Sequence, residues 1–310
     1  MKEKVIVIVG PTAVGKTKLS IDIAKKFNGE IISGDSMQIY KGMDIGTDKI
    51  SAKTMANIRH YMIDIVKPSE SYSVAQFQER VRFHLKQIND NNKLPVIAGG
   101  SGLYIDAILH DYNFKNRKRD EILTKELEQI YKSEGIEPLY KELQRVDKEQ
   151  ADKIHPNNVR RVIRALEMYK TTGQTMSEIH KSQKQTSIFN YKMIGLEMNR
   201  EILYNQINRR IDFMVEKGLV EEVQMIVNKF GIDAPSLNAI GYKEIIPYLE
   251  GENTLENCIN LLKKNTRNYA KRQMTWFKNK MNVQWYQLDR QTYEQSLQMI
   301  QSDIQQWLDE

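Results

Sequence analysis

Residues 4–10, Lys-Val-Ile-Val-Ile-Val-Gly, lead directly into Pro11, Thr12, Ala13, Val14, Gly15, Lys16 and Thr17. An unbroken β-branched run suits a central parallel strand buried on both faces, since a half-exposed strand would alternate apolar with polar residues. Gly10 to Thr17 complete the pattern G-x-x-x-x-G-K-S/T, set between that strand and a helical pattern over 16–27. The glycines let backbone N–H groups curl around phosphate oxygens, and the helix N-terminus adds positive potential. Lys16 supplies a mobile point charge, and the Thr17 hydroxyl is placed to ligate Mg²⁺. The chain therefore opens on a P-loop.

Further strands are predicted at 30–34, 61–66, 94–98, 191–198 and 283–288, with a helix over 73–89. Ser73 and Gln76 have capping-box spacing, and Val74, Phe77, Val81, Leu85 and Ile88 recur at helical intervals. Strands alternating with helices predict a doubly wound parallel sheet. Between 113 and 186 the alternation stops. That segment is charged and reads as several short helices, with Asn157 or Asn158 as N-cap and Gly173 as C-terminal stop for the clearest. The expected architecture is α/β: a P-loop NTPase-like parallel sheet core (1–112 and 187–310) with an inserted all-helical domain at 113–186.

In an open α/β sheet the carboxyl ends of the strands line the ligand crevice. Asp35, at the end of the second strand, should therefore face the same cleft as Lys16, as a general base, a metal-positioning group or a loop cap. Asp64 reads either as a Walker-B-like carboxylate or as a strand-end structural residue. Gly99, Gly100 and Gly102 allow either close backbone approach by a ligand or a tight strand-to-helix turn. Cys258 is the only cysteine, which excludes an intramolecular disulfide and favours a reducing compartment. The five histidines are scattered without metal-ligand spacing, so no zinc site is expected. The first residues lack a signal pattern and no run reaches membrane-spanning length, so a cytoplasmic protein is the expectation.

Six segments in order, GPTAVGKT, SGDSMQIYKGMDIGT, HYMIDIVKPSESYSVAQF, VIAGGSGLY, HPNNVRRVIRALE and YAKRQMTWF, span residues 10–277. Together they resemble the tRNA dimethylallyltransferase (tRNA isopentenyltransferase) family. The resemblance implies attack by the exocyclic amine of the adenine 3′ of the anticodon on dimethylallyl diphosphate, with diphosphate leaving. It implies that Gly10, Pro11, Thr12, Ala13, Val14, Gly15, Lys16 and Thr17 hold the diphosphate, with Mg²⁺ on Thr17. Asp35 would take the amine proton, and a second cation on the diphosphate matches Arg210 or its neighbour Arg209. tRNA contact maps to Asp35, Ser36, Met37, Gln38, Ser101, and Arg160, Arg161, Val162, Ile163 and Arg164. Ser101 stands where most members carry Thr and keeps the hydroxyl. Met37 would border the prenyl pocket.

The residues argue for RNA independently. The net charge is +6, and residues 257–288 hold seven cations with no Asp or Glu. That is the electrostatic footprint of a phosphate backbone. Lys263, Arg267 and Lys271 fall at i, i+4 spacing, where like charges repel, so an anion is expected to offset them. Tyr269, Trp276 and Phe277 either stack on bases or pack into the core. The expected partners are the tRNA anticodon stem-loop and dimethylallyl diphosphate, with no membrane, and the chain acting as a monomer. Two other readings share the P-loop. A small-molecule kinase or free-adenylate prenyltransferase leaves the basic segment without a purpose, and a nucleotide-switched RNA-binding protein leaves Asp35 without one.

Overall fold

The computed structural model describes residues 2–112, 120–182, 186–288 and 292–310. The chain forms two compact units, Met1–Leu109 with Ser187–Glu310, and His110–Thr186.

In the first unit, β1 (Lys4–Val9), β2 (Gly29–Ser33), β3 (His60–Tyr61), β4 (Leu94–Gly99), β5 (Asn190–Glu197) and β6 (Gln284–Gln287) make one sheet in the order β3-β2-β4-β1-β5-β6. Every pairing is parallel. β1 lies between β4 and β5, and Val5 to Val9 are wholly buried, as the unbroken apolar run requires. Val9 pairs with both Gly99 and Gly195, so the loops after β1, β4 and β5 leave the sheet at one edge.

β3 corrects an expectation. The strand predicted over 61–66 ends at Tyr61, because Met62 and Asp64 take left-handed backbone (φ 64° and 56°) that cannot continue a pleat. Asp64 instead lies in a loop and pairs with Lys49 at 2.6 Å, while the same amine holds Asp44 at 2.5 Å. The Walker-B-like reading of Asp64 therefore falls.

Helices α1 (Lys16–Lys26), α2 (Val74–Asp90) and α3 (Gly102–Leu109) precede the insertion. The capping box of α2 forms: Gln76 N–H donates to Ser73 Oγ at 3.2 Å, and Ser73 N–H to Gln76 Oε1 at 2.9 Å. The second unit contains α4 (Glu121–Glu134), α5 (Glu137–Val146), α6 (Lys148–Lys153), α7 (Val159–Thr172) and α8 (Met176–Ser182). It has its own core, including Leu127, Leu139, Leu143, Val162 and Leu166. Asn158, not Asn157, caps α7, and Gly173 ends it in left-handed backbone. Buried Asp147 caps α6 and accepts both the N–H and the hydroxyl of Ser177, which ties α8 to it. Residues 113–119 and 183–185 of the predicted insertion lie outside the described residues. The chain then continues through α9 (Arg200–Glu216), α10 (Leu219–Phe230), α11 (Ile246–Leu249), α12 (Leu255–Lys280) and α13 (Tyr293–Asp309). Among the described residues no helix is long and apolar enough to cross a membrane.

Candidate active site

The loop from Gly10 to Thr17 joins β1 to α1. Gly15 occupies the helix N-cap at φ 105°, a conformation that favours glycine, and it has no side chain with which to cap α1. The first N–H groups of the helix are therefore left for an anion. Pro11 and Val14 turn their side chains inward, so their contribution to the cradle is backbone alone. Lys16 Nζ donates to the carbonyls of Gly10 at 3.0 Å and Pro11 at 2.7 Å. Burial pulls its ammonium down to about 8, with Asp35 opposing, Arg210 reinforcing and Asp48 opposing. Thr17 is exposed at the start of α1.

Opposite the loop, Asp35 lies just beyond β2. Its Oδ1 accepts the Met37 N–H at 2.8 Å, so the Asp caps its own loop as the plainer reading had it. That contact orients the carboxylate, and Asp35 borders a cleft of about 230 Å³ lined also by Thr12, Met37, Thr47, Arg210 and Tyr269. The other face of the cleft is apolar: Ile211, Met214, Ala239, Ile240 and Leu262.

Of the two neighbouring arginines on α9, Arg210 is the one that reaches the P-loop. Arg209 is exposed, whereas Arg210 donates from Nη2 to Thr12 Oγ1 at 2.5 Å and from Nη1 to Asp48 at 3.1 Å. Its Nε is buried with no hydrogen-bond partner. A buried guanidinium donor left unmet is the feature an incoming anion would satisfy.

α12 passes behind these loops. Gln273 accepts the Thr12 N–H at 2.8 Å and donates to Gly100 O at 3.0 Å, so one amide ties the P-loop to the glycine loop after β4. A Cβ on Gly100 would stand 2.0 Å from Gln273 Nε2, and one on Gly102 2.3 Å from the Trp276 ring. The glycines after β4 thus serve close packing by α12, not ligand approach. Trp276 packs there and Phe277 is wholly buried, which makes both core residues. Tyr269 does reach the cleft, and burial, then the Asp35 carboxylate, push its phenol up to about 12.

The residues read as RNA contacts fall into two groups. Ser36 N–H donates to Ser101 Oγ at 3.3 Å, which joins the loop after β2 to the one after β4. Gln38 uses both ends of its amide on Ser33 and Thr47 and so holds the loop's shape. On α7, Arg160 and Arg161 are exposed, but Val162 and Ile163 are 0% and 4% exposed and build the core of their unit. Those two cannot touch RNA, because the face that carries them points inward. Arg164 neutralises buried Glu167 at 2.7 Å, a task a buried carboxylate demands. The anion expected opposite Lys263 is internal: Asp212 of α9, at 2.5 Å. Arg267 donates to Asn208 of α9 at 2.7 Å, while Lys271 is exposed. Asp48 and Gln273 escaped sequence reasoning, since their partners stand 162 and 261 residues away.

The parallel sheet with its glycine-lysine loop at the strand ends defines a P-loop α/β protein. The chain belongs to the IPP transferase family, whose model matches residues 38–280. It is 51% identical over 310 residues to the tRNA dimethylallyltransferase of Oceanobacillus iheyensis, covering 100% of this chain and 99% of that one. It is 52% identical to the Bacillus anthracis protein of the same name, over 98% and 97% of the two chains. In structure it is similar to the full-length tRNA isopentenylpyrophosphate transferase of Bacillus halodurans, with TM-score 0.75, 47% identity and coverage of 99% and 97%. A eukaryotic dimethylallyltransferase acting on tRNA superposes with TM-score 0.82 at 33% identity, over 96% of this chain and 77% of that one.

Proposed function

We propose that the protein transfers the dimethylallyl group of dimethylallyl diphosphate to the exocyclic amine of the adenine 3′-adjacent to the anticodon in tRNA, releasing diphosphate. One observation carries this reading: Thr12 of the phosphate loop, a second cation with an unmet donor, a carboxylate and apolar side chains all border one cleft. A kinase would need the loop and the cations, and the apolar lining suits a prenyl tail as the third component. A purely RNA-binding switch has no use for the carboxylate.

The roles follow from charge and reach. The first N–H groups of α1, Lys16 and Arg210 hold the diphosphate and stabilise the charge that grows on it as the carbon–oxygen bond breaks. The dimethylallyl tail lies along Met214, Leu262 and Met37. The adenine amine attacks the first carbon of the donor, and Asp35 Oδ2 accepts the proton the amine must shed as the bond forms. The donor set fits Mg²⁺. Among the described residues no group of three His, Cys, Asp or Glu could cage a metal, but Mg²⁺ takes few protein ligands beside phosphate oxygens and water, and Thr17, which is exposed, would offer it a hydroxyl. When bound, it would neutralise part of the charge on the departing diphosphate.

On the RNA side, the base is drawn from the anticodon loop into the cleft. The loop Asp35 to Gln38, braced by Ser101, would flank it, and Arg160, Arg161 and Lys271 would meet phosphates. The protein would act as a monomer in the cytoplasm.

Incubation with labelled dimethylallyl diphosphate and unmodified tRNA, followed by mass spectrometry of the anticodon loop, tests the reading. Label on the adenine amine is the expected result, and label on free AMP would favour an adenylate enzyme. Asp35→Ala should still bind tRNA while turnover falls about a hundredfold or more. Unaltered turnover would remove Asp35 from proton transfer.

A further inference from the structure

Glu222, on α10, is 4% exposed and lies outside the set of groups that border the cleft. Its carboxylate is filled by four donors. Oε2 accepts the backbone N–H groups of Asp44 and Ile45, both at 2.8 Å, and Oε1 accepts the Gly46 N–H at 3.0 Å and the Tyr242 hydroxyl at 2.6 Å. Three successive N–H groups converging on one anion form a nest, here closed around a side chain of the same protein. Tyr242 is wholly buried and lies directly beneath this turn, since a Cβ on Gly46 would come within 2.5 Å of its ring. Burial and the Glu222 carboxylate push its phenol far above its ordinary value, so it remains a donor.

The turn so held leads into the site. Gly46 and Thr47 line the cleft, and Thr47 O accepts from Gln38, on the loop that carries Asp35. One residue further, Asp48 stands at φ 51°, in the left-handed region that few residues other than glycine, asparagine and aspartate adopt, and its carboxylate receives Arg210 Nη1. Arg210 in turn reaches Thr12 of the P-loop. The Asp48 side chain is exposed, and its backbone N–H donates to Ile45 O at 3.0 Å, so its conformation is held by the same turn that Glu222 grips.

We infer that Glu222 is a positioning residue for the reaction: by gripping the Asp44–Gly46 turn it sets Asp48, and through Asp48 it aims Arg210 at the donor's diphosphate. This rests on the prenyl-transfer reading above and extends it to a residue that touches neither substrate.

A double-mutant cycle tests it. Glu222→Gln keeps the side chain's size but replaces one acceptor oxygen with an amide that donates, so at least one of the turn's N–H groups loses its partner. The variant should raise KM for dimethylallyl diphosphate about tenfold or more while KM for tRNA stays unchanged. In an Arg210→Gln background the same substitution should add nothing, because the group it positions is gone. Equal losses for both substrates, or additive effects in the cycle, would overturn the inference. Should Glu222→Gln not fold, Tyr242→Phe takes its place in the same cycle, removing one donor and keeping the ring. Wild-type protein on unmodified tRNA is the control. No transfer there would defeat the prenyl-transfer reading itself, whereas normal transfer with an additive cycle would defeat only the role given to Glu222.

Discussion

Lys16 and Arg210 divide the work of holding an anion, and they do so under different constraints. Lys16 is buried enough for its ammonium to lose its proton near pH 8 instead of 10.5. It carries its charge below that pH and sheds it above, so affinity for dimethylallyl diphosphate should be full below pH 8 and weaken as pH rises past it. Binding above pH 8 should also draw in a proton. Titration calorimetry in buffers of differing ionisation enthalpy measures both effects, and affinity flat to pH 10 would contradict the depressed value. Arg210→Gln should raise the donor's KM about tenfold or more, since a charge-assisted contact is lost, while Arg209→Gln should leave it unchanged. Steady-state kinetics on the two variants decides between adjacent residues that spacing alone could not separate.

At the scale of elements, α12 has two jobs that its basic sequence conceals. Its inner face, through Gln273 and Trp276, clamps the P-loop to the glycine loop after β4. Part of its charge is spent on packing: Lys263 and Arg267 hold α9, and Lys278 pairs with Glu197 at 2.8 Å. Lys271 remains exposed. Lys271→Gln should therefore lower the slope of log affinity for tRNA against log salt by about 1, the signature of one lost phosphate contact. Lys263→Gln should leave that slope nearly unchanged, and a filter-binding series across salt concentrations compares them. Sequence could not see which cations α9 and β5 engage; Lys264, Lys271, Arg272 and Lys280 are exposed.

For the whole molecule, two independent cores make the insertion separable. Leu109 O accepts the Ile188 N–H at 3.1 Å, so the two points where the insertion leaves the sheet unit are adjacent. Replacing residues 110–186 with a short glycine linker should leave a unit that unfolds cooperatively and still binds dimethylallyl diphosphate. It should lose most of its affinity for tRNA, because Arg160 and Arg161 go with the deleted segment. Calorimetry and gel shift read the two outcomes, and undiminished tRNA binding would assign recognition to the sheet unit alone.

Local pattern was enough for what neighbours in the chain decide. The apolar run of β1, the glycine-lysine loop, the capping box of α2 and the stop at Gly173 each depend on residues a few positions apart, and each is where the sequence put it. That Asp35, at the end of β2, lies close enough to oppose the fall in the Lys16 pKa was also legible, since strand ends in a parallel sheet share one edge. Only the tertiary structure could show that Val162 and Ile163 face inward, that Asp64 lies off any strand, that the glycines after β4 admit α12, or that Arg210 and not Arg209 reaches Thr12. Each of these turns on which surface meets which across long stretches of chain. Periodicity marks a face of a helix, but burial and unmet hydrogen bonds are settled only when a second element packs against it.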